Sequence, residues 1–426
     1  MSRLLARVRF LKGYAVLRNR NYRFFWVGQW ISLIGTWMQS VVQAWLLVRL
    51  GAGPLALGVL GAVSSAPMLI LVLLGGVLSD RSNRQRVVIT TQSLSLLQAL
   101  AMAALTLSGR VQPWHIIALA GVLGAINAFD IPARQAFVVE LVGRHELPNA
   151  IALNSTGFNV ARVAGPALGG LLVATVGEGG CFAINAVSYV AVLWGLSRIR
   201  VDAAKASVPQ AAPDAGGLRA GLRYTAAHAG LRPILLVVGV VSAVAVSYRN
   251  FLPDMARTVL GIDAWRYGLL TAAAGVGAGM AAMILAAVRL PAATYRRILP
   301  VGLTVFALAL GAFAEARTFA LSVLLLWASG CGGIVYFNAS NTLVQLSVDD
   351  VFRGRVLSLY TLMHQGTATF GSLVLGVIAA RYGTPTALLS GALVCLGAGA
   401  WFVSAQTFGV IGTAVPSPSR VMSDEP

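Results

Sequence analysis

Two long apolar runs, Leu57 to Leu78 and Val87 to Leu107, are separated only by a short charged turn. Each run reaches the ~20 residues that an α-helix needs to cross the ~30 Å hydrocarbon core of a bilayer. Comparable runs recur along the 426 residues, without the every-second-residue alternation of a membrane β-barrel. Backbone groups in lipid must be hydrogen-bonded within the protein, so such runs fold as helices. The sequence therefore predicts an all-α polytopic membrane protein.

The composition favours the same class of protein. Hydrophobic residues make up 57% of the chain and charged residues only 11%, which is more apolar surface than a soluble fold could bury. The net charge of +18 could suggest nucleic-acid binding, but most Lys and Arg fall on one predicted side of the membrane. This positive-inside bias predicts cytoplasmic N- and C-termini. The expected surroundings are the lipid bilayer, and no nucleic-acid partner is expected.

The apolar runs are interrupted by a polar stretch near the middle of the chain. Residues 198–232 are rich in Ala, Pro, Gly and Asp, which is typical of a flexible linker, and include a short amphipathic piece from Leu218 to His228. Two related bundles are a common plan among transporters. The predicted organisation is a cytoplasmic N-terminal segment (1–23), a first bundle (24–197), a cytoplasmic linker (198–232), a second bundle (233–405) and a cytoplasmic C-terminal tail (406–426).

The charged turn runs from Gly76 to Arg86. A Gly, a spacer, an Asp-Arg pair and a basic cluster, in this position, resemble the signature between the second and third helices of major facilitator superfamily transporters. The family usually has Gly where this chain has Asn83, and Asn tolerates the left-handed backbone, so the turn is expected to survive the exchange. The resemblance implies the major facilitator fold, with twelve transmembrane helices in two six-helix bundles, and a conformational gate. The expected gate residues are Gly76, Asp80, Arg81, Arg84, Arg86, Asp130 and Arg134.

Asp130 has two interpretations. It precedes Pro132 by two residues, a pattern that favours an N-cap for a short interfacial helix. It also lies on the same predicted side of the membrane as the Arg84/Arg86 cluster, for which it could be the ionic partner. A proton carrier needs a titratable group in the transport path, and the first three predicted helices contain no interior acid. Asp130 and Asp254, the latter close to Arg249, are therefore the proton-coupling candidates.

The predicted fifth helix carries Gly165-Pro166-Ala167-Leu168-Gly169-Gly170. Pro166 removes a helix hydrogen bond, and glycines allow a neighbouring backbone to approach closely. The pattern resembles the Gly-Pro-rich fifth-helix motif of facilitator-superfamily antiporters, so Gly165, Pro166, Gly169 and Gly170 are the expected helix-packing residues. Arg162 lies ~18 Å along this helix at 1.5 Å per residue. A charge so deep is expected to contact an anionic substrate or an internal acid, with a structural ion pair as the alternative.

Polar residues recur at three- and four-residue steps along the predicted first helix and share one face. This face is expected to line a cavity, with hydrogen bonding between helices as the alternative. Aligning the two halves of the chain places Ser155 over Thr361 and Asn159 over Gln365. The candidates for the substrate cavity are Gln29, Ser32, Thr36, Gln39, Gln43, Asn159, Arg162, Thr361, His364 and Gln365.

No catalytic constellation emerges from the sequence. The four histidines are scattered, the three cysteines lie in apolar runs, and there is no P-loop for ATP. The chain is therefore predicted not to be an enzyme, to bind no metal and to need no cofactor.

Three further stretches resemble the branch of the superfamily that contains enterobactin-exporter-like bacterial efflux permeases. They run from Arg20 to Trp26, from Asn127 to Gln135 and from Arg353 to Val356. This resemblance implies a multi-pass protein of the bacterial cytoplasmic (inner) membrane that works by secondary active transport. It would export a small amphipathic compound, of siderophore or drug type, by alternating access linked to protons. A non-transporting sensor or assembly factor with the same fold and an uptake permease are the alternatives, because no residue encodes direction.

Overall fold

The computed structural model describes residues 14–199, 217–228, 230–288, 290–349 and 352–407. These residues are almost entirely helical. Numbered along the chain, the helices are α1 (Arg20–Arg49), α2 (Pro54–Arg81), α3 (Arg84–Leu107), α4 (Pro113–Gly143), α5 (His145–Ser197), α6 (Gly217–Ala227), α7 (Leu231–Ala245), α8 (Ala264–Ala287), α9 (Ala292–Glu315), α10 (Phe319–Ser347), α11 (Arg353–Tyr382) and α12 (Thr384–Thr407).

Eleven helices in the described part of the chain are long and apolar enough to cross a membrane. One of them, α5, has 53 residues, or ~80 Å at 1.5 Å per residue, which is enough for two crossings. Gly177, with φ 72°, breaks α5 into two parts, and Gly143, with the same φ, separates α4 from α5. A left-handed φ suits Gly because it has no Cβ. Counting both parts of α5, the described residues make twelve crossings, which confirms the predicted fold class.

The crossing that begins with α7 does not stay α-helical. A 3₁₀ turn at Ser247–Phe251, a helical turn at Leu252–Asp254 and a π-helical turn at Met255–Val259 follow it within the apolar segment Leu231–Val259. Short 3₁₀ and π segments inside a helix are frequent at functional sites.

The predicted first helix begins earlier than expected, at Arg20 rather than Phe24. The cause is Asn19, whose side-chain oxygen accepts hydrogen bonds from the backbone N–H groups of Asn21 (3.0 Å) and Tyr22 (3.2 Å). This N-cap satisfies donors that would otherwise lack partners at a helix start. Residues 1–13 of the predicted N-terminal segment and residues 408–426 of the predicted tail lie outside the described residues.

The described residues form two compact units. The first unit comprises residues 14–199 together with Leu252–Ala272, and the second comprises residues 217–251 and 273–407. In the predicted linker, α6 forms where an amphipathic piece was expected, while residues 200–216 lie outside the described part. The division into bundles at 24–197 and 233–405 stays a prediction.

Candidate functional site

The charged turn of the first unit is held by an N-cap. Helix α2 continues through Asp80 to Arg81, and α3 begins at Arg84. The side-chain oxygen of Asn83 accepts a hydrogen bond from the backbone N–H of Arg86 at 3.0 Å. Its φ is −64°, and no described residue other than Gly has a positive φ. The expectation of a left-handed residue at Asn83 is therefore wrong, because the Asn side chain stabilises the helix start instead.

Asn83→Ala is expected to lower the free energy of unfolding by about 1 kcal/mol, because it removes the cap. Asn83→Gly should cost only a few tenths of a kcal/mol, since Gly is itself an acceptable N-cap. Thermal unfolding of both variants in the same detergent measures the difference. A clear gain of stability in Asn83→Gly would instead indicate that the turn needs a left-handed backbone.

The basic cluster after the turn pairs with an acid that the sequence did not single out. A guanidinium nitrogen of Arg84 lies 3.8 Å from a carboxylate oxygen of Glu140 in α4. The proposed pairing of Arg84 with Asp130 is therefore wrong. Arg86 is exposed, and its backbone takes part in the Asn83 cap. The side chains of Asp80 and Arg81 lie outside the described part, so their roles in a gate stay predictions.

Asp130 lies inside α4 and is only 2% exposed. One carboxylate oxygen accepts hydrogen bonds from Thr91 Oγ1 at 2.7 Å and Gln92 Nε2 at 2.9 Å, both on α3. The other oxygen lies 3.2 Å from the guanidinium of Arg134, one helical turn further along α4. The N-cap interpretation of Asp130 is wrong, because the helix continues through Pro132. The structure instead shows a buried carboxylate that ties α3 to α4.

Next to the turn, two adjacent glycines of α2 differ in their surroundings. Gly75 is buried, and a Cβ at that position would overlap the carbonyl oxygen of Ala128 in α4. A Cβ at Gly76 would meet nothing within 4 Å. Among the described residues, the Cβ direction of the predicted gate glycine, Gly76, is therefore open, whereas that of Gly75 is occupied by the α4 backbone.

The polar face of α1 is largely used between helices of the first unit. Thr36 shares a hydrogen bond of 3.2 Å with the hydroxyl of Tyr189 in α5. Gln39 donates to Gln98 of α3 at 3.0 Å and accepts from Asn185 of α5 at 2.6 Å. These contacts correspond to the alternative of hydrogen bonding between helices.

Within the described part of the chain, the structure records no side-chain hydrogen bond between helices for the remaining candidates on α1. Ser32 is buried, and its backbone oxygen accepts from Thr36 at 2.9 Å. Within the described residues, the side-chain oxygens of Gln29 and Gln43 are buried and have no hydrogen-bond partner. Buried amide oxygens are normally paired, so these two stay candidates for contact with water or a substrate.

The glycine motif of α5 packs at short range against its neighbours in the first unit. A Cβ at Gly165 would lie 2.5 Å from Trp37 Cβ and 2.9 Å from the Ile34 oxygen of α1. A Cβ at Gly169 would lie 3.3 Å from Met38, also on α1. Gly170 faces a different segment, because its Cβ would lie 2.6 Å from the oxygen of Ala264. Pro166, which lies between Gly165 and Gly169 in the sequence, is also buried.

Asn159 and Arg162 lie on α5 within the two turns before this motif, and both are half-buried. The amide of Asn159 donates to the Ser155 oxygen of the preceding turn at 2.9 Å. Their contact with a substrate stays a prediction.

The second unit holds three further candidates on α11. Thr361 and Gln365 are exposed, and the Thr361 hydroxyl donates to the Leu357 oxygen at 3.0 Å. His364 is half-buried, with its Nδ1 2.8 Å from Ser242 Oγ of α7. Asp254, the other proton-coupling candidate, is buried in the first unit, whereas Arg249 belongs to the second unit. Their pairing stays a prediction.

Sequence reasoning missed Thr91, Gln92 and Glu140. All three are polar residues within apolar runs, and that is the signal that could have found them, because polar groups inside membrane helices seek partners. Among the described residues, no group of three or more His, Cys, Asp or Glu side chains is arranged to hold a metal ion.

Comparison with known proteins decides the family. A family model described as transmembrane secretion effector matches residues 11–411. The chain is a major facilitator superfamily transporter. The staphyloferrin A transporter of Staphylococcus aureus is 24% identical over 370 residues, covering 85% of this chain and 90% of the relative. The enterobactin exporter EntS of Escherichia coli is 24% identical over 380 residues, covering 87% of each chain. Membership in this family makes the chain a multi-pass membrane transporter and not an enzyme.

Solved structures agree on the fold. A bacterial homologue of the human lysosomal transporter Spinster superposes with a TM-score of 0.72 at 13% identity, covering 91% of this chain and 97% of the other. The nucleoside transporter NupG superposes with a TM-score of 0.69 at 14% identity, covering 90% and 98%. At such low identity the likeness shows the major facilitator fold alone.

Proposed function

We propose that this transporter exports a small amphipathic compound, of siderophore or drug type, by alternating access linked to protons. Its place would be the bacterial cytoplasmic membrane, with both termini in the cytoplasm. The proposal is supported by relatives named for staphyloferrin A transport and enterobactin export. A third relative, the multidrug efflux pump Tap of Mycolicibacterium fortuitum, is 27% identical over 219 residues, which is 50% of this chain and 52% of the relative.

The observation that carries the proton-linked part is the buried carboxylate of Asp130. Ionisable groups inside membrane segments are costly and mark substrate or proton pathways. Protonation of Asp130 would remove the negative charge that faces Arg134 and weaken the hydrogen bonds from Thr91 and Gln92. Since these bonds join α3 to α4, a proton at this carboxyl would loosen the same part of the first unit that carries the charged turn.

The conformational part of the proposal rests on the turn itself. The Asn83 cap fixes the start of α3, from which Arg84 reaches Glu140. We infer that Asp80, Arg81, Arg84 and Arg86 hold one state of the transport cycle, and that Asp130 and Arg134 release it. Gln29, Gln43, Asn159 and Arg162 are the substrate-cavity candidates of the first unit, and Thr361, His364 and Gln365 are those of the second unit.

Everted membrane vesicles with an imposed proton gradient test the proposal. A pH-sensitive fluorescent dye measures the release of protons that a transported substrate causes. The candidate substrates used as probes are ethidium, a citrate-based chelator and a catechol-based chelator. We expect at least one probe to cause proton release with the wild-type protein. Asp130→Asn should abolish that response, because the variant cannot carry the proton.

Glu315→Gln is the matched control. The carboxylate of Glu315 is 61% exposed and pairs with Arg317 at 3.8 Å, so its loss removes the same charge from a solvated site. This control should keep the proton response. Proton release by Asp130→Asn at the wild-type rate would reject Asp130 as carrier. A gate at the turn would be rejected if Asp80→Asn and Arg84→Ala left transport unchanged.

A further inference from the structure

Helix α6 lies at one end of the second unit, where membrane-spanning helices begin and end. A Cβ at Gly221 of α6 would lie 3.2 Å from the Cβ of Arg355, in the first turn of α11. The hydroxyl of Tyr224 donates to the carboxylate of Asp349 at 2.9 Å and accepts from the backbone N–H of Asp349 at 3.2 Å. Asp349 comes two residues after the end of α10. Because the spanning segment of α10 ends here and that of α11 begins here, α6 lies at the edge of the hydrocarbon core.

A stack of aromatic rings holds α6 against this end of the unit. The ring centre of Tyr224 lies 4.3 Å from that of Phe352, just before α11, and 3.8 Å from that of His228. The guanidinium carbon of Arg355 lies 5.4 Å from the ring centre of Phe352, which adds a cation–π contact from α11. A helix of 11 residues is only marginally stable by itself in water. These contacts therefore fix the position of α6.

The exposed face of α6 combines an apolar and a basic side chain. Gly221 and Thr225, one helical turn apart, are buried. Leu222 is 47% exposed, and the side chain of its neighbour Arg223 is exposed as well. Adjacent apolar and cationic side chains at the edge of the hydrocarbon core are typical of a helix that lies in the membrane interface.

The same end of the second unit carries an excess of positive charge. Because consecutive membrane crossings alternate in direction, α7, α9 and α11 all begin there. Asp349 is the only acid at this end whose side chain the structure describes, and its carboxylate accepts from Tyr224. Six arginines with described side chains belong to α6 or to the first two turns of the three spanning helices: Arg223, Arg232, Arg296, Arg297, Arg353 and Arg355. Six cations and one carboxylate leave this end strongly positive, whatever pairs they form.

We propose that α6 and the starts of α7 and α11 form a docking surface for anionic phospholipid. Exposed guanidinium groups, above all those of Arg223 and Arg353, bind the headgroup phosphates, and Leu222 inserts among the acyl chains. A lipid fits this surface better than a free anion, because the exposed leucine lies beside the cation and a lipid offers both an acyl chain and a phosphate. The inference goes beyond the proposed function, since it depends on neither the substrate nor the direction of transport.

The thermal unfolding midpoint of the purified full-length protein in detergent tests the docking surface, with added lipid as the probe. A ligand that binds the folded state raises the midpoint as its concentration rises. Dioleoylphosphatidylglycerol, which is anionic, should raise the midpoint more than dioleoylphosphatidylcholine, which has the same acyl chains and no net charge. Inorganic phosphate at the same concentration should have a smaller effect than the anionic lipid, because it has no acyl chain.

Arg223→Gln combined with Arg353→Gln should lower the apparent affinity for phosphatidylglycerol about twentyfold, because each arginine near a membrane surface contributes a factor of about five. Arg317→Gln combined with Arg381→Gln is the matched control. This control removes two exposed arginines from the opposite end of the same unit, after α9 and in the last turn of α11. It should bind phosphatidylglycerol like the wild type.

Three results would overturn the docking surface: equal midpoint shifts of the wild type with the two lipids, an equal shift with inorganic phosphate, or equal affinity of the two double variants for phosphatidylglycerol. The first result would favour an acidic segment of a partner protein at this end, and the second would favour a free anion. The comparison of the two lipids on the wild type decides the matter even if a variant is unstable.

Discussion

Asp130→Ala is expected to lower the free energy of unfolding by about 3 kcal/mol, the lower end of the range for breaking a buried ion pair. The carboxylate is 2% exposed and accepts hydrogen bonds from Thr91 and Gln92 as well as pairing with Arg134. Alanine leaves these donors without their acceptor inside α3 and α4, which costs more than the bonds themselves contribute. The lower end applies because the Arg134 side chain is 23% exposed and water can compensate in part.

The measurement is the thermal unfolding midpoint in one detergent, followed by tryptophan fluorescence. Asp130→Asn keeps an acceptor oxygen for Thr91 and should lose less stability than Asp130→Ala. Glu315→Ala, which removes an exposed acid, should change stability by no more than about 0.5 kcal/mol. Equal midpoints for Asp130→Ala and Glu315→Ala would mean that the buried network does not stabilise the first unit.

The membrane crossings could be predicted from sequence because the length of an apolar run is itself the physical requirement. The two parts of α5 show the principle. Apolar residues precede and follow Gly177. The helix breaks at Gly177 because glycine adopts a left-handed φ at little cost. The start of α1 was harder to predict from sequence, because it depends on hydrogen bonds from two backbone N–H groups to the Asn19 side chain.

Ionic partners could not be predicted in the same way. The sequence predicts that Arg84 and Asp130 lie on the same side of the membrane, but the choice of ionic partner depends on how neighbouring helices are rotated and shifted against each other. In the structure Asp130 points to Thr91 and Gln92, whereas Glu140 meets Arg84. Asp130 and Glu140 lie ten residues apart on α4, or ~15 Å along the helix axis, so the height at which α3 packs against α4 decides between the two acids.

The contacts of the polar face of α1 could not be predicted from sequence either. Periodicity placed its residues on one face but did not say what that face would meet. Thr36 and Gln39 form hydrogen bonds with polar residues on α3 and α5, while the side-chain oxygen of Gln29 has no hydrogen-bond partner among the described residues. Separating packing residues from cavity residues therefore needs the positions of the neighbouring helices.

Gly75→Ala and Gly76→Ala are expected to change stability in opposite directions, although the two residues are adjacent in α2. A methyl group at Gly75 would overlap the Ala128 carbonyl oxygen, a backbone atom that cannot turn aside. The helices must separate or bend, and overpacking of this kind costs about 1–3 kcal/mol. At Gly76 the methyl group meets nothing within 4 Å, and alanine favours a helix over glycine by about 0.5–1 kcal/mol.

Thermal unfolding of the two variants in the same detergent measures the sign of each change. We expect the midpoint to fall for Gly75→Ala and to rise for Gly76→Ala. Transport activity should fall for Gly75→Ala and be kept by Gly76→Ala. The charged turn lies at the end of α2, so a change in the distance between α2 and α4 would move Arg84 relative to Glu140. If Gly76→Ala were the damaging change, the glycine of the signature would serve a contact that forms in another state of the transport cycle. Stability and transport measured together distinguish the two cases, since such a contact would reduce transport without lowering the midpoint.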